Sequence, residues 1–427
     1  MQEDLLHFIW KYKRLPLQKL GTTKGLPLQI VDVGRHNLLA GPDFFNARLR
    51  IDGQLWAGNV EIHLRSSHWY AHHHELDDNY DSVILHVVWE DDAVVFGSDN
   101  REIPTLELKD LIQEKLLQSY RGLLNNDQKK FINCERDIGR LDSFVVSNWL
   151  ERLYVSRLEQ KSALIMELLQ KSRNDWEKVL FNMLLKGFGS KINGDSFLGI
   201  SERIDFAIVR KIRGKEHQLE CLLMGMAGLL DDRSVVDTYY LHLKKEFAYM
   251  SVKYKLDNIS LQRPDFFKLR PSNFPTVRLA QAAALYNLRP NLFERLMEAP
   301  DLESIYDILG VGASSYWDTH FTFGKASRKS VKKLTRKFMD LLVINTLLPI
   351  RFCYERYRGM EPTTGIYDLI SKVDPENNTI ISQFQKLGMT ANNALESQAI
   401  LQLYNGYCTK NKCLQCAIGA SLLGGNK

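Results

Sequence analysis

Pro42-Asp43 and Glu61-Ile62-His63 flank Asp52-Gly53, a dipeptide suited to closing a two-residue β-hairpin. A carboxylate at the start of one strand and another on its neighbour can converge on a divalent cation. Mg or Mn takes such oxygen ligands while keeping several waters, and the ion then activates water and neutralises charge growing on a phosphate. Asp43 and Glu61 are the expected ligands and catalytic carboxylates. His63 would act beside them as base, cation or extra ligand. Pairing sets a condition. If Ile51 faces Gln54, regular alternation puts Asp43 opposite Ile62 and points it away from Glu61 and His63. The site therefore requires Asp43 to precede regular pairing, or a bulge to intervene. Pro42 suits an irregular strand start, because its nitrogen cannot join the ladder.

More histidines follow. The triplet His72-His73-His74 reads as a solvated turn, with His68 just before it. His86 lies inside the apolar run Val83 to Trp89, where a buried imidazole needs a partner. Glu61 or His63 on a neighbouring strand is the expected partner, which adds His86 to the candidate catalytic residues.

Cys408-x4-Cys413-x2-Cys416 forms a second constellation near the C-terminus. Thiolates at these gaps can bind one zinc ion or part of an iron–sulfur cluster. The fourth ligand is open between Cys353, Cys134, Cys221 and a histidine. The plain alternative is a set of small buried residues in a terminal helix. Between Asp318 and Asp340 the chain has no acid but carries Lys325, Arg328, Lys329, Lys332, Lys333, Arg336 and Lys337. On a helix these fall opposite Val331, Leu334, Phe338 and Leu341. Such a face fits the phosphates of a nucleic acid, the alternative being a solvated surface.

The elements that must carry these groups change in character along the chain. Up to about residue 109, runs such as Leu28–Val33, Phe44–Ile51, Gln54–Leu64 and Val83–Trp89 read as strands separated by turn signals, after a short amphipathic helix at 2–12. Phe45, Ala47, Leu49 and Ile51 are expected on one face of their strand. From 110 onward the apolar period is helical, including a helix expected over 328–350. The fold expected is α+β: a β-rich domain at 1–109 and a helical domain at 110–427 ending in the cysteine knuckle. Of the 427 residues 44% are hydrophobic and 25% charged, with a net charge of +5, which is ordinary for a soluble globular protein. The short N-terminal apolar stretch is interrupted by His7 and preceded by acids, so no signal peptide is read. No membrane span is expected, and the chain is read as cytoplasmic. Walker, dinucleotide-binding and Gly-x-Ser-x-Gly motifs are absent.

Three stretches then carry a resemblance: Gly41-Pro42-Asp43-Phe44-Phe45-Asn46-Ala47-Arg48, Leu55 to Ser67, and Val83-Ile84-Leu85-His86-Val87-Val88. With Leu269 to Thr276 and the C-terminal cysteines, the chain resembles an uncharacterised bacterial family of Bacteroidetes type, known as a domain of unknown function. Separately, Pro42-Asp43, Glu61 and the strand order are similar to PD-(D/E)xK nucleases, with His63 standing where that pattern has lysine. That second resemblance implies a restriction-endonuclease-like sheet and, if the protein is an enzyme, a Mg- or Mn-dependent nuclease. A non-catalytic nucleic-acid-binding protein and an interaction scaffold with a structural metal fit the same residues.

Overall fold

The computed structural model describes residues 2–37, 39–124, 131–215, 217–257, 261–360 and 364–424. The chain is α+β, a mixed sheet followed by a large helical region. It begins with helix α1 (Glu3–Lys11), whose apolar face of Leu5, Leu6, Phe8, Ile9 and Trp10 is buried. Strands β1 (Leu28–Asp32), β2 (Arg35–His36), β3 (Phe44–Ile51) and β4 (Gln54–Arg65) follow. A short helix α2 (His68–Ala71) then leads to β5 (Val83–Glu90) and β6 (Thr105–Glu107).

The sheet runs β1-β3-β4-β5-β6, with β2 beside β3. Pairing is antiparallel from β1 through β4, then parallel between β4 and β5 and between β5 and β6. Asp52 and Gly53 both have positive φ, the geometry that lets a two-residue turn follow the twist of its strands. β5 lies between two neighbours, and Val83 through Val88 are buried, as its unbroken apolar run requires.

Pairing of β3 with β4 is regular from Ile51–Gln54 to Ala47–Gly58, then shifts by one residue so that Phe44 faces Val60. The bulge centres on Asn46, held at φ 58, with its backbone N–H donating to Asn59 Oδ1 at 3.1 Å. Asparagine visits this left-handed region more readily than most residues. Phe44, not Phe45, is therefore the buried aromatic at this end of the strand, correcting the face expected from strict alternation.

Contacts divide the chain into two compact units. One comprises residues 1–149, 383–389 and 402–427, the other 150–382 and 390–401. The segment 110–149 and the C-terminal cysteines thus cluster with the sheet, where the sequence places a boundary at 109–110. The second unit is helical apart from one small hairpin, β7 (His320–Thr322) and β8 (Lys325–Ala326), among its described residues. No described helix is long and apolar enough to cross a membrane.

The helix expected over 328–350 is corrected. Residues 327–335 are extended or irregular, and a helix begins only at Arg336, where Thr335 Oγ1 accepts from Phe338 N–H at 3.3 Å. Burial in this segment alternates: Lys332 and Leu334 are buried while Val331, Lys333 and Thr335 are exposed. That period of two belongs to extended chain.

Candidate metal centre

The bulge in β3 decides where Asp43 lies. With the register shifted by one, Asp43 comes to the same face as Glu61. Its backbone N–H donates to Glu61 Oε2 at 3.1 Å, and its Oδ2 accepts from Ile62 N–H at 2.9 Å. His7 of α1 places Nε2 3.1 Å from the same carboxylate oxygen. The condition set by the sequence is met by the bulge, and Asp43 adjoins Glu61.

Glu61 and His63, two residues apart on β4, are both buried. His63 Nδ1 lies 2.9 Å from His86 Nε2 on β5, so His86 finds the partner expected for it. The other nitrogen, His63 Nε2, lies 3.2 Å from His72 Nδ1 and 3.5 Å from Glu61 Oε1. His74 Nε2 lies 3.5 Å from that same Glu61 oxygen.

The triplet is therefore only partly a solvated turn. His73 is exposed, with φ 59, and this left-handed residue brings His72 and His74 back toward the sheet. Trp69 of α2, fully buried with Val83, Val95 and Ile103, anchors the turn. Tyr80 stacks on the His74 ring at 3.8 Å. Ser66 and Ser67, donating to Asp91 and Asp92, tie the end of β4 to the segment after β5. His72 and His74, which the sequence left in solvent, are the functional candidates that reading missed. Histidine recurring two residues apart around a turn was the available signal.

Among the described residues, His63, His72 and His74 form the one group of three metal-ligating side chains whose donor atoms lie within 4.8 Å of one another. The separations of 3.2 and 3.5 Å around His63 Nε2 and Glu61 Oε1 approach the roughly 3.4 Å edge of a tetrahedron built on bonds of about 2.0–2.1 Å to zinc. His74 Nε2 is buried and has no hydrogen-bond partner, an expensive arrangement unless something else engages it. His72 is exposed, so the group opens to solvent on one side.

Burial dominates the electrostatics of the centre. Burial, reinforced by the Asp43 charge, pushes the Glu61 carboxyl up to about 9. Burial and the surrounding imidazoles push His63 down to about 2, and burial pushes His86 down to about 3. His74 is lowered as well, chiefly by burial. Neutral imidazole is the form that binds metal. A cation would also favour ionised Glu61, so binding would release its proton.

The remaining candidates lie elsewhere. Cys408, Cys413 and Cys416 line a cavity in the sheet-containing unit together with Cys134. Burial pushes the Cys134 thiol up to about 12 and Cys416 up to about 11. Cys221 and Cys353 belong to the other unit, and Cys221 donates to Leu243 O at 3.2 Å. Neither lines that cavity.

The basic run is not a one-sided helix face. Lys332 is buried, donating to Asp318 O and Ser330 O at 3.1 and 2.8 Å with the Phe321 ring beneath it. Arg336 pairs with Glu303 at 2.7 Å. Lys325, Arg328, Lys329 and Lys333 remain exposed.

The chain matches no curated protein and no solved structure. Residues 3–379 match the model of a family described as a protein of unknown function, DUF2851, and the matched region stops short of Cys408. By that match over most of its length, the chain belongs to this family of unknown function.

Proposed function

We propose that the sheet-containing unit is a metal-dependent phosphodiesterase, in which His63, His72, His74 and Glu61 hold one divalent ion. The observation that carries this reading is the convergence of the His63, His72 and His74 donor nitrogens on one point, two of them 3.5 Å from Glu61 Oε1, with an unpartnered buried nitrogen at His74. Nitrogen-rich donor sets suit zinc and its transition-metal neighbours better than magnesium. In this reading the nitrogen-rich set takes the place of the Mg or Mn site expected from Asp43 and Glu61. Such an ion would supply Lewis acidity and a water of lowered pKa.

The chain's own residues have separable tasks. His86, against His63 Nδ1, orients the ring whose Nε2 faces the centre. Asp43 ties the start of β3 to Ile62 and places its backbone N–H on Glu61. His72 lies at the solvent opening, where a substrate would approach.

Phosphodiester substrates are favoured by the Pro-Asp strand start, the Glu-x-His strand and the antiparallel-to-parallel sheet order, a pattern similar to PD-(D/E)xK nucleases. The exposed cations Lys325, Arg328, Lys329 and Lys333 fit a polyanion in the same chain. Nucleic acid is the class of substrate proposed.

Purified protein stripped of metal and reloaded with zinc, manganese or magnesium should cleave single- or double-stranded nucleic acid in at least one metal form. His74→Ala and Glu61→Gln should lose both the ion and the cleavage. Stoichiometric metal that survives both substitutions would refute the assignment of ligands. Salt-sensitive binding without cleavage supports a second reading, a non-catalytic nucleic-acid binder. That reading draws on one observation: Asp43 Oδ2 is already engaged by Ile62 N–H and His7.

A further inference from the structure

The four cysteines of the sheet-containing unit come from two places far apart in the sequence. Cys134 follows α3 (Glu114–Leu124). Cys408 and Cys413 each open a single 3-10 turn, and Cys416 directly precedes the helix Ala417–Gly424. All four line one cavity, whose other walls include Leu123, Leu403 and Ile418. The remaining lining is Gly419 and two polar residues, Asn133 and Tyr407, so the four sulfurs are its densest set of ligand atoms.

Several donors are aimed at the sulfurs. Asn133 Nδ2 lies 3.4 Å from Cys413 Sγ. The backbone N–H groups of Ile418 and Gly419, in the first turn of the terminal helix, hold the Cys416 thiol down against the effect of its burial. Gly419 approaches so closely that a Cβ there would lie 2.1 Å from Cys413 O. The terminal helix thus packs its first turn directly on the cysteine loop, which is possible only without a side chain. N–H donors directed at sulfur suit bound thiolates, and they tune clusters when these are present.

Sulfur spacing separates two kinds of occupant. One tetrahedral zinc ion with bonds of about 2.3 Å requires all four sulfurs within roughly 3.8 Å of one another. No three of these sulfurs come within 4.8 Å of one another, because the histidine group alone meets that distance among the described residues. A four-iron cluster needs wider spacing, since each thiolate binds a different iron and inorganic sulfide fills the space between.

We infer that Cys134, Cys408, Cys413 and Cys416 ligate a [4Fe–4S] cluster, with Cys134 as the ligand distant in sequence. This site is independent of the histidine centre and of any activity proposed for it.

The test uses full-length protein purified without oxygen and, in parallel, reconstituted with ferrous iron and sulfide. The expected result is about four irons and four acid-labile sulfides per chain, with visible absorption that bleaches on reduction. Cys134→Ser should lose most of the sulfide while its circular dichroism stays that of the parent, and Cys353→Ser should keep it. Labile sulfide is the deciding readout, because an ion in the histidine centre brings none. If Cys134→Ser does not fold, Cys413→Ser and the sulfide content of the parent decide instead. Sulfide well below one per chain in both preparations overturns the inference. So does zinc that persists in His63→Ala/His74→Ala protein but is lost in the cysteine variant.

Discussion

His86 shows how much of the centre depends on a residue whose side chain reaches it only through another ring. It is fully buried, its Nε2 meets His63, and its Nδ1 has no partner. Replacing it with leucine removes the unsatisfied Nδ1 but leaves His63 Nδ1 without its partner; the two effects oppose each other, each about 1–3 kcal/mol, so stability should change little. The His63 ring, however, loses the contact that sets its orientation. His86→Leu is expected to weaken metal binding by about 10- to 100-fold, measured by competition with a chromogenic chelator, with little change in melting temperature. An unchanged affinity would remove His86 from the positioning role. At this scale the sequence was informative about Glu61, His63 and His86, because strand neighbours and the need of a buried imidazole for a partner are local arguments. It was uninformative about His74, whose inward direction depends on a single left-handed residue, His73, and on the packing of Trp69.

Strand β3 carries the next consequence. Its pairing was legible from Asp52-Gly53 and from the alternation of Leu49 and Ile51, but the bulge at Asn46 was not. Many asparagines sit in ordinary strand conformations, and nothing around Asn46 marks it as different. Asn46→Val should cost about 1–2 kcal/mol, because a β-branched side chain is strained at φ 58. Asn46→Gly should cost less, since glycine adopts that φ freely. Urea denaturation of the two variants is the check: equal penalties would point to loss of the asparagine side chain rather than to backbone strain, since the N–H bonded to Asn59 is kept in both. The segment 327–335 failed in the opposite direction. Its cations and apolar residues fit a helical stripe on paper, yet Lys332 has its charge satisfied by carbonyls and Leu334 points inward two residues later. A run of charges with mixed spacing supports two periods, and only tertiary partners such as Gln281, donating to Lys332 O at 2.9 Å, choose between them.

At the level of the whole molecule, stability should depend on pH through the helical unit. Lys161 is largely buried there, donating to Asn345 Oδ1 at 2.7 Å, and burial pushes its amine down to about 7 from 10.5. Its folded pKa lies below its unfolded one, so between these values the unfolded chain binds more protons. Stability attributable to this lysine therefore rises with pH across that window. Lys161→Met should flatten the rise and stabilise the protein near neutral pH by up to a few kcal/mol, read from denaturation midpoints on either side of the window. A slope unchanged by the substitution would assign it to other groups. The α+β division was legible in the switch from alternating to helical periods, whereas the discontinuous make-up of the units was not, because it depends on which distant segments touch. That make-up has a consequence for biosynthesis. Every residue of the histidine centre lies before Val87, whereas Cys408 is made 274 residues after Cys134 (408 − 134). The sheet-containing unit cannot close until residues 402–427 have been made, and a truncation placed after residue 379, where the family match ends, would remove part of that unit.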